Sequence, residues 1–62
     1  EMDVYLIDKS GQETLYFESV DKLTPSGEDL VLEDIFSQQK TVRAKIKEMA
    51  FIRHRIVLEE VE

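Results

Sequence analysis

Sixty-two residues make one domain, and a chain of this size buries only about 60% of the surface its unfolded form exposes. The apolar fraction of 42% argues against disorder, no apolar run approaches the roughly 18 residues of a membrane-spanning helix, and there is no cysteine to form a disulfide or bind a metal. Fourteen acidic and eight basic residues give a formal charge of −6, which argues against avid, nonspecific binding to phosphate backbones.

The charge is uneven. Residues 1–39 carry ten acidic and two basic groups, net −8; residues 40–62 carry four acidic and six basic groups, net +2. The start is acidic rather than basic and then apolar, so no signal peptide is expected, and the cytoplasm is the default location.

Residues 2–8, MDVYLID, alternate as a strand does. Met2, Val4 and Leu6 fall on one side, and Asp3, Tyr5 and Ile7 on the other. KSGQ follows, with Gly11 able to take a positive φ. Residues 14–19 read as the return strand of a hairpin. In TPSG, Pro25 and Gly27 fit the second and fourth positions of a type I turn, placing the sole proline between strands.

A third strand is expected over 29–35, with Leu30, Leu32 and Asp34 on one face and Val31, Glu33 and Ile35 on the other. SQQK makes a polar break. Residues 41–49, TVRAKIKEM, read two ways. Val42, Ala44 and Ile46 alternate with Arg43, Lys45 and Lys47 as in a strand, while Val42, Ile46, Met49 and Ala50 share one face of a helix. Pattern alone leaves the two equal. Residues 55–61 are rich in β-branched side chains and read as a strand. GEDLVLED and RHRIVLEE echo one another faintly, as two strands in similar positions would.

LEDIF, the TVRAKIKEM run and HRIVLEE, in that order, resemble the CooT-like family of small proteins. The resemblance covers nearly the whole chain. It implies a 41–48 strand rather than a helix. The expected fold is all-β: a five-stranded antiparallel barrel or curled sheet of SH3-like or Sm-like size, with strands near 2–8, 14–19, 29–35, 41–48 and 55–61. The family is linked to nickel and to maturation of a nickel-containing carbon monoxide dehydrogenase. Its ligand is a cysteine directly after the initiator methionine, and its members resemble homodimers with the metal near the two N-termini. Family members have also been described as RNA-binding, on the strength of barrel similarity.

The sequence departs from the family pattern at three places. Glu1 stands where the residue after Met-Cys is expected, Ser37 follows Phe36 where a glycine is usual, and Arg53 precedes His54 where an asparagine is common. The resemblance therefore implies either a Ni(II)-binding accessory protein whose ligand cysteine precedes Glu1 or a family member that never had the cysteine, with no cofactor expected for residues 1–62 themselves. The partners it implies are a second copy and a nickel enzyme under maturation. Membranes and RNA are not expected partners, and an enzyme is not expected, since no nucleophile, base or cofactor signature is present.

Within the chain, His54 is the sole histidine and the one weak metal-ligand candidate; Arg53 and Arg55 beside it oppose a bound cation. The pairs Glu28–Asp29, Glu33–Asp34 and Glu59–Glu60 point to opposite strand faces, so none is a preformed dyad. Asp34 is placed to cap the turn that follows it. Two alternatives stand beside the nickel reading. One is a protein-interaction module without metal. The other is an RNA-binding small β-barrel with a basic face of Lys40, Arg43, Lys45, Lys47, Arg53 and Arg55, helped by aromatics drawn from Tyr5, Tyr16, Phe17, Phe36 and Phe51.

Overall fold

The alternating stretches do form strands. In the computed structural model, which describes residues 1–61, they are β1 (Met2–Ile7), β2 (Glu13–Ser26), β3 (Asp29–Asp34), β4 (Gln39–Val42), β5 (Ala44–Ala50) and β6 (Arg55–Glu60). All six join one sheet in the order β4-β3-β2-β1-β6-β5. The all-β expectation holds. Two details of it are corrected: there are six strands rather than five, and the sheet is mixed rather than antiparallel, because β1 and β6 pair in parallel, Asp3 with Arg55 through Ile7 with Glu59.

The 41–48 stretch is strand, not helix, but it is two strands. β4 pairs with β3, and β5 pairs with β6; Arg43 alone separates them. The chain therefore passes from one edge of the sheet to the other in a single residue, and β3 and β5 come into contact. The cross-strand partners decide against the helix. Ile46 lies opposite Leu58 and Met49 opposite Ile56, with a bulge between them that puts both on the core face.

The second strand also departs from expectation. It does not stop at residue 19 but runs 14 residues to Ser26. Ser19, at φ 56, sits in a bulge opposite β1, where Met2 pairs with Val20 and Val4 with Phe17. Asp3 Oδ1 accepts the Ser19 N–H at 3.1 Å, and Ser19 O accepts the Ile35 N–H at 3.0 Å. The bulge turns β2 away from β1 and toward β3.

Pro25 lies within β2, opposite Leu30, rather than in a type I turn. That part of β2 has a strand neighbour on the β3 side alone, so a proline with no N–H to offer the other side is tolerated. The turn sits two residues later, as a two-residue loop of Gly27 and Glu28 between the paired Ser26 and Asp29. Gly27 takes φ 62, as the first loop position of a II′ hairpin requires.

The core collects Val4, Phe17, Val20, Leu30, Leu32, Ala44, Ile56 and Leu58, with Val4, Leu32 and Leu58 fully buried. Met2 and Leu6 pack against it from β1, on the same side as Val4, as their alternation places them. Leu30, Leu32 and Asp34 do share the inward face of β3. The echo between DLVLED and RIVLEE reflects two strands that bury the same positions, Leu30 and Leu32 in one and Ile56 and Leu58 in the other.

Candidate functional site

The parallel β1–β6 pairing brings the start of the chain to its sole histidine. The Asp3 N–H donates to His54 O at 2.8 Å, and the His54 N–H donates to Phe51 O at 3.2 Å. His54 closes the 51–54 loop with φ 54, a left-handed conformation that lets a tight turn rejoin the sheet. Glu1, Asp3 and His54 line one shallow hollow beside it. Nothing in the sequence places residue 54 beside residue 3, because a parallel pairing joins segments far apart in the chain.

The residues present do not make a nickel site. Nickel in a sulfur and nitrogen environment needs soft or borderline donors. The chain has no cysteine and one imidazole, and among the described residues no three His, Asp or Glu side chains converge on a point. One Asp3 oxygen is already committed to the Ser19 N–H.

The six basic candidates are dispersed over the two edges and β6. Lys40 Nζ donates to Tyr16 O at 2.9 Å and lies 4.6 Å from the Tyr16 ring centre and 5.0 Å from that of Phe17. Arg43 pairs with Asp29 at 3.1 Å, and Lys45 with Glu59 at 3.5 Å. Arg55 Nη2 meets Glu13 Oε2 at 2.8 Å, and its guanidinium stacks 4.3 Å over the Tyr5 ring. Lys47 and Arg53 make no ion pair among the described residues. Exposed pairs of this kind contribute little stability each, but they fix where the charges point.

Two features escaped the sequence reading. One is a groove beside Lys40 lined by Leu15, Tyr16 and the well exposed Phe36. The other is an apolar rim along β5 and its turn: Ile46, Met49, Phe51 and Ile52, the last 95% exposed. A signal was available for the second. Turns between strands favour Gly, Asn, Asp and Pro, and this one begins Phe-Ile.

Fold and site together define a small all-β domain whose chain start lies against the β5–β6 turn. The family model for the CO dehydrogenase accessory protein CooT matches residues 1–59, and the chain belongs to that family. The crystal structure of a protein described as a CooT from Carboxydothermus hydrogenoformans is similar, with a TM-score of 0.90 and 42% sequence identity. The likeness covers 100% of this chain and 98% of that one. No curated protein matches.

Proposed function

We infer that this protein is a nickel-binding accessory factor in the maturation of a carbon monoxide dehydrogenase, with Ni(II) as its cargo. Membership of the CooT family over residues 1–59 carries the reading. The ligand is a cysteine in a Met-Cys pair ahead of Glu1, not a residue of the chain described above. The geometry supports that placement. β1 begins at Met2, and a residue ahead of Glu1 emerges beside the hollow of Glu1, Asp3 and His54.

One thiolate per chain leaves the coordination shell incomplete, so two copies related by a two-fold axis supply two, with amine or backbone nitrogen completing the set. The test is a calorimetric nickel titration, under reducing conditions, of residues 1–62 and of the form extended by Met-Cys. The extended form is expected to bind tightly with a thiolate-to-nickel absorption band, and residues 1–62 weakly or not at all. Equal, tight binding by both would move the site into residues 1–62, where His54→Ala would then abolish it. Binding by neither would leave a protein-interaction module without metal.

A further inference from the structure

We propose that the groove between the first half of β2 and the β3–β4 turn docks an extended segment of a partner protein, which adds to β2 as a strand with an apolar side chain against Phe36 and a carboxylate at Lys40. The sheet leaves a place for it. From Glu13 to Ser19, β2 has a strand neighbour on the β1 side alone, because its pairing with β3 begins at Val20. On the open side Ser19 O accepts the Ile35 N–H at 3.0 Å and Tyr16 O accepts from Lys40 Nζ at 2.9 Å, but no strand pairs with it. A free edge of this kind is a template for strand addition, in which main-chain hydrogen bonds hold the segment and its alternate side chains are read.

Phe36 is the apolar anchor, and the turn does not need a phenylalanine there. The β3–β4 turn is built as the β1–β2 turn is: Asp34 Oδ1 accepts the N–H groups of Phe36 and Gln38, and Asp8 Oδ1 those of Ser10 and Gln12. A serine thus serves in one turn where the other has a phenylalanine, whose ring stands out in solvent with the residue 73% exposed. The same bonds fix the loop that carries it, so little freedom is lost when a ligand covers the ring. Leu15, 47% exposed, lines the groove with it.

Charge and shape single out the occupant. The Lys40 ammonium lies over the Tyr16 and Phe17 rings and bonds one carbonyl, yet it meets no carboxylate among the described residues, whereas Arg43, Lys45 and Arg55 are each paired. It keeps donors for an incoming carboxylate. Of the acids in the groove, Asp34 is committed to its own turn and Glu18 repels a second carboxylate, so the segment carries one acid, at Lys40. The groove is shallow, with a volume of about 610 Å³, which suits a chain laid along an edge rather than an enclosed small molecule. A nucleic acid would find a single cation there.

The proposal stands apart from the nickel cargo, and its test needs no metal. Short random peptides displayed on phage are selected on residues 1–62, and the most enriched one is synthesised. It is expected to alternate apolar residues and to carry an Asp or Glu, to move the amide signals of residues 15–18 and 36–40, and to slow hydrogen exchange along the first half of β2. Phe36→Asp and Lys40→Glu, with the far-ultraviolet dichroism of the parent, should each weaken binding roughly tenfold or more. Lys9→Glu, the same charge change in the first turn, should not. A library that enriches no peptide on the parent over the Phe36→Asp variant would overturn the proposal. So would a bound peptide that leaves exchange along β2 unchanged, or a single-stranded RNA that moves the same amides. Signals of residues 15–18 and 36–40 that shift with protein concentration alone would put a second copy in the groove, and would overturn it too.

Discussion

Asp34 and Gln38 hold each other by two hydrogen bonds. The Asp34 N–H donates to Gln38 O at 2.9 Å, and Asp34 Oδ1 accepts the Gln38 N–H at 2.8 Å. The same carboxylate oxygen accepts the Phe36 N–H at 2.9 Å. Asp8 and Gln12 repeat the pattern in the first hairpin, with Asp8 Oδ1 accepting from Gln12 N, Ser10 N and Ser10 Oγ. Both loops carry their positive φ at the third loop residue, Gly11 at 91 and Ser37 at 66. One turn design thus closes both the β1–β2 and the β3–β4 connection.

Removing the buried cap should be costly. Asp34→Ala removes the acceptor of the Phe36 and Gln38 N–H groups, and a hydrogen bond to a charged acceptor contributes about 1.5–3 kcal/mol, less where water can replace the lost partner. A loss of about 2–3 kcal/mol is expected from urea unfolding. Asp34→Asn, which keeps an acceptor oxygen, should lose less than half of that.

Ser37 occupies a conformation that suits glycine. Ser37→Gly should stabilise by about 0.5–1 kcal/mol, since relief of backbone strain exceeds the added entropy of the unfolded chain. Ser37→Val should destabilise, because a β-branched side chain resists positive φ. The mirror experiment is Gly11→Ala. No atom lies within 4 Å of the added Cβ, so any loss of thermal stability there measures the backbone term alone.

Acid should loosen the first turn through Asp8. Its carboxyl is held below the ordinary value of 3.8, chiefly by the Ser10 hydroxyl and then by the Gln12 N–H. A depressed folded-state pKa adds stability that is present above 3.8 and lost as pH falls through the lower, folded value. Carboxyl chemical shifts should titrate Asp8 below 3.8 in the folded protein. In Asp8→Asn the fall in melting temperature between pH 5 and pH 2.5 should be smaller than in the parent.

Leu58 tests the core. It is fully buried opposite Ile46 on one side and Leu6 on the other. Leu58→Ala should cost about 3 kcal/mol or more, the usual range for a leucine cavity. In a domain this small that is a large share of the total, so chemical denaturation should show a substantial unfolded fraction without denaturant.

The sequence alone determined what local chemistry determines. Alternation put Met2, Val4 and Leu6 on one side of β1 and set Leu30, Leu32 and Asp34 on one face of β3; Gly11 marked the first turn; Asp34 stood where a side-chain cap belongs. These follow from a period of two and from side chains that bond their own backbone within four residues. It also carried the family pattern in LEDIF, TVRAKIKEM and HRIVLEE.

Tertiary structure decided the rest. It split 41–50 into two strands at Arg43, carried β2 through Pro25, and joined β1 to β6 in parallel. Each depends on which distant backbone lies alongside, and the residues concerned accept more than one answer locally. Val42, Ile46 and Met49 share one face of a helix equally well until Leu30, Leu58 and Ile56, respectively, lie opposite them. The same pairings set His54 beside Asp3 and leave Ile46 and Met49 half open. Where strands meet, and where the last one goes uncovered, is fixed by long-range hydrogen bonding and packing that no local window contains.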